Sequence, residues 1–189
     1  MLGAARDVAP APESVTTASF HLVRTARLVL RAPTLDDEDA LYAIHSDPAT
    51  NVHNPNGPMP DQATAHARTT GLVTNWTNDG IAYWCVALPS DPRVIGFAGV
   101  EIHKWLDRDV FNLYYRLTPT EWGKGYATEA AIEGVKAAAV VRPDLPIVAR
   151  SRSSNLASIR VAEKVGLNRR VDLEQADGEA NRVVYVSRW

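Results

Sequence analysis

The sequence has few of the features that mark specialised classes of protein. A single cysteine, Cys85, among 189 residues excludes an internal disulfide bond and a zinc site built from several cysteines. The formal net charge of -2 gives no overall positive field of the kind that attracts nucleic acid. The chain has no run of about 18 apolar residues, so it predicts no membrane-spanning helix. An anionic ligand would therefore need a local positive site.

The remaining composition is typical of one globular domain, with 46% hydrophobic and 22% charged residues. Residues 1–19 are rich in Ala, Pro, Ser and Thr and have no periodicity, so we expect a disordered tail followed by a single domain over 20–189. The N-terminus lacks a cationic region followed by an apolar one. It therefore predicts no signal peptide, and the cytoplasm is the default location.

Hydrophobic periodicity predicts a mixed α/β (α+β) fold with a mostly antiparallel sheet flanked by helices. Short turn-like segments between the early strands favour antiparallel hairpins, and helices connect the later strands. The predicted helices are 35–45, 61–78, 127–141 and 155–166. The predicted strands are 25–32, 81–88, 94–104, 110–117, 146–151, 169–174 and 182–188.

The stretch Trp122-Gly-Lys-Gly-Tyr-Ala-Thr128 lies between a predicted strand and an alanine-rich predicted helix. Its glycines let the backbone turn tightly, and a helix start presents unpaired N–H groups with partial positive charge. This combination predicts an anion site, most often for phosphate. The spacing is neither that of the Rossmann fingerprint, because the sixth position from Gly123 is Thr128, nor that of the P-loop.

Two motifs then give a specific family resemblance. Trp122-x-x-Gly125-x-Ala127 resembles the [Q/R]-x-x-G-x-[G/A] signature of the GNAT acetyltransferase superfamily, which holds the pyrophosphate of acetyl-CoA, with Trp122 in place of Gln or Arg. The run 119–130 resembles the ribosomal-protein N-terminal acetyltransferase-like branch. Asn155–Leu167 resembles the superfamily's N-x-x-[A/S]-x-x-x-[Y/A]-E-K-x-G-F element. The resemblance covers nearly everything after Phe20 and implies the GNAT fold, whose sheet is splayed at the acetyl-CoA site.

The resemblance implies an acetyl-CoA-dependent N-acetyltransferase that acts on a primary amine by direct attack in a ternary complex. Branch resemblance slightly favours a protein or peptide N-terminal α-amine over a small molecule. No nucleophilic side chain is needed, in agreement with a core position for Cys85 in an apolar predicted strand. We expect no metal, nucleic acid or membrane partner, and either a monomer or a homodimer.

The resemblance also implies which residues bind acetyl-CoA. The strand before the glycine-rich turn should present unpaired backbone donors, and we expect the Leu117 N–H to donate to the thioester oxygen. Asn155 is expected to bind the pantetheine arm. The full implied set is Arg116, Leu117, Thr118, Trp122, Gly123, Lys124, Gly125, Tyr126, Ala127, Thr128 and Asn155.

Glu101 is the predicted general base, because superfamily members often carry a glutamate in this region that deprotonates the amine through water. Strand alternation places Gly99, Glu101 and His103 on one face. Partial burial should raise the pKa of Glu101 toward neutrality. His103 is the competing base, and Glu101 could instead pair with Arg108 or Arg116.

Ser158 is the second predicted catalytic residue. Many superfamily enzymes have a tyrosine before Glu-Lys-x-Gly that protonates the leaving thiolate, but Ala162 occupies that position here. Ser158 lies one turn earlier on the same helix face, and we expect it to stabilise the thiolate. The resemblance makes His53, Asn54 and Met59, in the loop between the first two helices, candidates for the acceptor side; the alternative is that they are ordinary loop residues.

Two other classes of function are open on the sequence. The absent tyrosine and the unassigned base leave room for an acyl-CoA-binding module without transferase activity. A nucleotide-binding protein is disfavoured, because neither phosphate-binding fingerprint is present.

Overall fold

The computed structural model of the protein describes residues 20–189, so the predicted tail over 1–19 lies outside the described residues. The described part contains eight strands and five α-helices. The strands are β1 (Leu22–Arg24), β2 (Val29–Arg31), β3 (Trp84–Leu88), β4 (Asp91–Trp105), β5 (Arg108–Leu117), β6 (Ile147–Arg152), β7 (Asn168–Arg169) and β8 (Arg182–Val186). The helices are α1 (Glu38–Ser46), α2 (Gln62–Asp79), α3 (Tyr126–Val141), α4 (Leu156–Lys164) and α5 (Val171–Asp177).

All eight strands form one sheet in the order β1-β2-β3-β4-β5-β6-β8-β7. Every neighbouring pair is antiparallel except β5 and β6, which are parallel. The long β4–β5 hairpin turns at Leu106 and Asp107, both of which have positive φ. The predicted mixed, mostly antiparallel sheet flanked by helices is confirmed.

The sheet separates between its two parallel strands. β5 pairs with β6 only at Phe111 and Asn112, which face Ile147 and Val148. β5 nevertheless continues to Leu117 and stays paired with β4 along its whole length. Residues 113–117 of β5 therefore have no β6 partner, and we call the space between them and residues 149–152 of β6 the β5–β6 opening.

Different helices cover the two faces of the sheet. Gly134 of α3 approaches β4 so closely that an added Cβ would lie 3.3 Å from the Gly99 Cα and 3.4 Å from Val100. On the other face, His45 of α1 packs against Phe97, with ring centroids 5.6 Å apart. Because side chains alternate along a strand, α1 and α2 cover one face, and α3 and α4 cover the other.

Two predicted segments near the ends of the chain were wrong. The predicted strand over 25–32 is shorter, because the Thr25 N–H closes a turn by donating to the Leu28 carbonyl at 3.0 Å, and the strand begins at Val29. The predicted strand over 169–174 is mostly the helix α5, whose first turn carries Asp172 and Glu174. Acidic residues favour a helix start, and the helix buries Leu173 against a small second core.

The helices of residues 20–189 do not include one that combines the length and apolar character needed to cross a membrane.

Candidate active site

The β5–β6 opening leads into a cavity of about 810 Å³. The first turns of α3 and α4 and the loop after α1 complete its wall. Most of the implied acetyl-CoA-binding residues line this cavity together with Ser158: Arg116, Leu117, Trp122, Gly123, Gly125, Tyr126, Ala127, Thr128 and Asn155. Thr118 and Lys124 are not part of the wall. Cavities of this size commonly hold small molecules and cofactors.

The backbone of β5 presents alternate residues to the opening. The Phe111 N–H donates across to the Pro146 carbonyl at 2.8 Å, whereas the Thr118 N–H donates toward β4, to the Ile95 carbonyl at 2.8 Å. By alternation, the N–H groups of Leu113, Tyr115 and Leu117 point into the opening. Leu117 thus has the orientation expected of a donor to the ligand. The N–H groups of Arg116 and Thr118 point toward β4 instead.

The glycine-rich turn is shaped by two residues with positive φ, Gly123 at +75° and Gly125 at +82°. Side chains rarely adopt this conformation, so glycine is favoured at both positions. Gly125 is the N-cap of α3, which begins at Tyr126. The first N–H groups of α3 therefore face the cavity without intrahelical partners, as expected for an anion site.

Arg27, in the turn between β1 and β2, braces this anion site from outside. Its guanidinium donates to the Lys124 carbonyl at 2.8 Å and forms a salt bridge with Glu129 at 2.6 Å. Thr25 donates to the same carboxylate at 2.5 Å. This brace is not predictable from local sequence patterns, because Arg27 and Glu129 are 102 positions apart in the chain.

Lys124 pairs with a carboxylate of the cavity wall. Its ammonium is bound to Glu121 at 3.0 Å, and its side chain is half exposed. This pair offsets the charge of Lys124 beside the cavity. Trp122 donates its indole N–H to the Leu117 carbonyl at 2.8 Å, so its side chain fixes the end of β5.

Asn155 and Ser158 meet at the start of α4. The Asn155 Oδ1 accepts the Ser158 N–H at 3.1 Å, which caps the helix. The amide nitrogen of Asn155 makes no hydrogen bond to residues 20–189, so it remains a donor for a ligand in the cavity. The capping role and the implied binding role thus use different atoms of one side chain.

Tyr115 is a site residue that the sequence analysis missed. Its hydroxyl donates to the Ser158 carbonyl at 2.8 Å and lies 2.9 Å from the Ser158 Oγ. Burial, partly opposed by the hydrogen bond to Ser158, raises the pKa of Tyr115 to about 12. The phenol therefore stays protonated and fixes the serine hydroxyl. The available signal was its place beside Tyr114 in the strand that leads to the glycine-rich turn.

A second cavity, of about 300 Å³, lies on the face covered by α1 and α2. Aromatic and apolar side chains line most of it, together with the polar groups of His45, Arg68, His103 and Asn112. Tyr114 lines both cavities. Because Tyr114 and Tyr115 are consecutive on β5, they point to opposite faces of the sheet and flank the opening.

Glu101 lies on the face of the second cavity but is only 1% exposed. Arg68 donates to both of its carboxylate oxygens, at 3.2 and 2.6 Å, and Asn75 donates at 2.6 Å. Burial favours a higher pKa, but hydrogen bonds from His103, Arg68 and Asn75 outweigh it and lower the pKa of Glu101 to about 2. The expected rise toward neutrality was wrong, and the partner is Arg68 rather than Arg108 or Arg116.

His103 lines the second cavity, with about a third of its side chain exposed. Its Nε2 lies 3.1 Å from the Glu101 carboxylate. Since a carboxylate only accepts hydrogen bonds, Nε2 carries the proton, and the lone pair of a neutral ring is on Nδ1. A carboxylate that orients one imidazole nitrogen leaves the other available as a base.

His45 is held as a neutral ring beside Tyr114. Its Nδ1 donates to the Leu41 carbonyl at 2.8 Å, so its Nε2 accepts the Tyr114 hydroxyl at 2.8 Å. Burial and the nearby charge of Arg116 lower the pKa of His45 to about 4. Burial raises the pKa of Tyr114. Both groups are therefore uncharged near neutral pH.

The three acceptor-side candidates divide between the cavities. His53 and Asn54 line the larger one, and Met59 lines the smaller one. Asn54 also fastens its own loop by donating to the Gly57 carbonyl at 2.6 Å. Cys85 is fully buried, and burial raises the pKa of its thiol, as expected of a core residue. Residues 20–189 contain no group of three or more His, Cys, Asp or Glu that could hold a metal ion.

Known structures share this fold. An acetyltransferase from Agrobacterium tumefaciens is 21% identical, with a TM-score of 0.74 over 99% of this chain and 100% of that chain. RimL, a ribosomal L7/L12 alpha-N-protein acetyltransferase in complex with coenzyme A, is 17% identical, with a TM-score of 0.64 over 87% of this chain and 96% of that chain. Aminoglycoside acetyltransferase AAC(6')-Ib, in complex with coenzyme A, is 19% identical, with a TM-score of 0.62 over 84% of this chain and 92% of that chain.

A family model provides evidence of a different kind. The model of the acetyltransferase (GNAT) domain matches residues 27–168, which include β2, the glycine-rich turn and the whole of α4. The match therefore spans most of the chain and both motifs on which the resemblance depended. The chain belongs to the GNAT family of acetyltransferases.

Proposed function

We propose that the protein transfers the acetyl group of acetyl-CoA to a primary amine by direct attack in a ternary complex. The observation that carries this proposal is the β5–β6 opening, where unpaired N–H groups of β5 lie beside the N-terminus of α3. Donors from the strand suit an amide-containing pantetheine arm and a thioester, and the helix N-terminus suits a pyrophosphate. Two solved structures with this fold are complexes with coenzyme A.

The residues present fit acetyl-CoA in the larger cavity. The N–H groups at the start of α3 would hold the pyrophosphate, and the Asn155 amide would donate to the pantetheine arm. The Leu117 N–H would donate to the thioester oxygen as it gains negative charge, an interaction typically worth about a hundredfold to a thousandfold in rate. Acetyl-CoA supplies an acetyl group activated as a thioester.

His103 is the group best suited to deprotonate the acceptor. A base must compete for the proton of an ammonium group, and a carboxyl group with a pKa of about 2 competes poorly. His103 has a lone pair on the second cavity's side of the sheet, and Glu101 orients its ring. We therefore assign Glu101 as a positioning residue and His103 as the base. His103 lies opposite Val110, seven residues along β5 from Leu117, so it accepts the first proton of the ammonium group through water in the second cavity.

The remaining steps balance without a side-chain nucleophile. The amine nitrogen forms a bond to the acetyl carbon, the bond from that carbon to sulfur breaks with its electron pair going to the sulfur, and the second amine proton passes to water as the amide forms. The Ser158 hydroxyl donates to the sulfur as it gains negative charge, and the Tyr115 hydroxyl then donates to the Ser158 Oγ in place of the Ser158 carbonyl. Serine is a weak acid, so its contribution is stabilisation of the thiolate more than proton donation.

The proposal specifies the acceptor as a primary amine and leaves two kinds of amine open. A protein or peptide N-terminal α-amine is favoured by the resemblance of 119–130 to the ribosomal-protein branch. A small amine fits the same chemistry, and the two neighbours bound to coenzyme A are described with acceptors of both kinds. A non-catalytic acyl-CoA-binding module is the alternative from another class.

The proposal is tested by calorimetric CoA binding and by thiol release from acetyl-CoA with peptides and small amines. Ala127→Glu places a carboxylate in the first turn of α3, where it suits the helix dipole but repels phosphate. Ala139→Glu, on an exposed position of the same helix, is the matched control.

We expect Ala127→Glu to abolish CoA binding and Ala139→Glu to leave it unchanged. Thiol release that depends on an added amine would establish the transferase. CoA binding without release on any acceptor favours the binding module. No binding by the unaltered protein would contradict the site.

A further inference from the structure

The charged side chains that face the two cavities are strongly unbalanced. One carboxylate, Glu121, lines the larger cavity, and it is already paired with Lys124. Arg68 is the lining cation of the smaller cavity, and the described residues of its wall include no Asp or Glu. Asp177 pairs with two of the six basic residues that line the larger cavity, Arg150 and Arg182, and the other four are Arg116, Arg152, Arg160 and Lys164. A substrate surface of this kind favours anionic groups.

Arg116 is the member of this set whose side chain lies on the face of α1 and α2. It lies opposite Phe97 in the β4–β5 register, and Phe97 packs against His45 of α1. Its guanidinium stands over the ring of Tyr114, 5.8 Å from the centroid. The side chain is thus on the α1–α2 face, opposite the face where Tyr115 contacts Ser158. A role for its side chain in binding the acceptor therefore fits its position better than a role in binding CoA phosphates.

The guanidinium of Arg116 is held in place without a countercharge. One nitrogen donates to the Asn51 Oδ1 at 2.9 Å. Asn51 is buried, and its own amide donates to the carbonyls of His45 and Asp47 at 2.7 and 2.8 Å. Within residues 20–189, no Asp or Glu forms a salt bridge with Arg116, although Arg31, Arg68 and other arginines have such partners. The remaining N–H groups form a preorganised fork for a carboxylate.

The carboxylate of Glu101, on the same face of the sheet, does not offset the positive charge of Arg116. Arg68 and Asn75 occupy both oxygens of Glu101, and His103 approaches it as well. A second cationic group on an acceptor would therefore find no free carboxylate among the described residues of either wall. An acceptor with a negative group would find Arg116.

We propose that the preferred acceptor is a primary amine that also carries a carboxylate, and that Arg116 binds this carboxylate. The inference rests on the acetyl transfer proposed above and specifies its substrate class. The carboxylate has two sources: the α-carboxylate of a free amino acid or the acidic first side chain of a peptide. Polyamines and other multiply cationic amines are poor acceptors.

The test measures thiol release with acceptor pairs that differ in this carboxylate, with rates referred to the concentration of unprotonated amine because the neighbouring group alters the basicity of the amine. Glycine is compared with glycinamide, and Asp-Ala-Ala-amide with Asn-Ala-Ala-amide; spermidine is the cationic comparison. We expect kcat/KM to favour the charged member of at least one pair by roughly tenfold to a hundredfold, the range of a charge-assisted hydrogen bond. The pair that responds identifies the source of the carboxylate.

The variant Arg116→Gln should bring that ratio close to one without weakening CoA binding, and Arg116→Lys should retain part of it. Arg93→Gln, near the start of β4 where the Arg93 side chain is 84% exposed, is the matched control and should leave the ratio unchanged. Ratios near one for both pairs in the unaltered protein would overturn the inference. An equal loss of activity with both members in Arg116→Gln would overturn it as well.

Failure of this inference is distinguishable from failure of the proposed function. Turnover of neutral or cationic amines at equal or higher rates preserves the transferase and removes the charge preference. If CoA binds but the panel gives no turnover, calorimetric titration of the CoA complex with glycine and with Asp-Ala-Ala-amide tests the inference. If either acceptor binds and Arg116→Gln abolishes that binding, the inference is supported; if neither acceptor binds, it is overturned. Loss of CoA binding itself contradicts the proposed function.

Discussion

The two faces of β5 present different electrostatic environments. On the face of α3 and α4, Tyr115 and Ser158 are uncharged hydroxyl groups that contact each other beside unpaired backbone donors. On the face of α1 and α2, full charges are present: Glu101 is paired with Arg68, whereas Arg116 has no carboxylate partner among residues 20–189. Consecutive residues, Tyr114 and Tyr115, divide the two environments because strand side chains alternate.

This difference suggests which catalytic task each face of β5 performs. Negative charge that develops on a thioester oxygen and a sulfur is best met by neutral, fixed donors, which need no counterion before the reaction. An incoming ammonium group instead needs a base and a defined local charge. The paired carboxylate of Glu101 supplies the local charge, and it is not the base.

The largest effect should follow from breaking the charge pair on the acceptor face. Glu101→Ala leaves the Arg68 charge partly buried and without its partner. We expect a loss of about 3 kcal/mol in the free energy of unfolding, at the lower end for buried pairs because a third of the Arg68 side chain is exposed. Denaturant unfolding measures it. The control Glu133→Ala, which removes a surface pair with Lys136, should cost under about 1 kcal/mol. Equal losses would mean that Glu101 is no more structural than a surface residue.

The neutral ring of His45 should make stability depend on pH. Its folded pKa of about 4 lies below the reference value of 6.5, so its contribution is fully present above pH 6.5 and is lost as the pH falls toward 4. The loss amounts to at most about 3 kcal/mol. Unfolding measured across this window should fall more steeply for the unaltered protein than for His45→Gln. Identical curves would show that His45 is not held neutral.

The hydroxyl pair on the other face should affect turnover rather than stability. We expect Ser158→Ala to lower kcat by roughly tenfold to a hundredfold, and Tyr115→Phe by roughly twofold to tenfold. If the tyrosine acts through the serine, the double variant should resemble Ser158→Ala alone. Tyr42→Phe on α1 is the control. Additive losses in steady-state kinetics would give the two hydroxyls independent roles, and an unchanged kcat in Ser158→Ala would remove Ser158 from the mechanism.

The smallest effect should come from the side chain that fixes the end of β5. Trp122→Phe removes the indole N–H that donates to the Leu117 carbonyl. A neutral hydrogen bond contributes about 1 kcal/mol, so we expect CoA affinity to fall by less than about tenfold, with kcat unchanged. Calorimetric titration checks this. A loss of binding as large as that expected for Ala127→Glu would mean that the indole contacts the ligand directly.

Local patterns predicted the framework of the fold well. α2 begins next to Asp61, whose carboxylate accepts the Thr64 N–H as a cap, and it ends at Gly80 with positive φ. Both signals are readable from the sequence alone. The error at α5 arose because the spacing of its few apolar residues fits either a short strand or a short helix, and the contact of Leu173 with the second core decided the outcome.

The site was predictable only where its residues are adjacent in the chain. The glycine-rich turn and the start of α4 each carry a motif, and most of their residues line one cavity. The partner of Glu101 was not predictable, because Arg68 reaches it from α2, and together with His103 and Asn75 it reverses the effect of burial on the pKa. The Tyr115–Ser158 contact likewise joins a strand and a helix that meet only in the folded chain.

The central claim is that the unpaired edge of β5 binds acetyl-CoA through its backbone. Amide hydrogen exchange followed by NMR, with and without CoA, tests it residue by residue. Slower exchange on addition of CoA is predicted at Leu117 and at its outward-facing neighbours Leu113 and Tyr115. Arg116 and Thr118, whose N–H groups already point toward β4, should change little. Unchanged exchange at Leu113, Tyr115 and Leu117 in a protein that binds CoA would contradict the account.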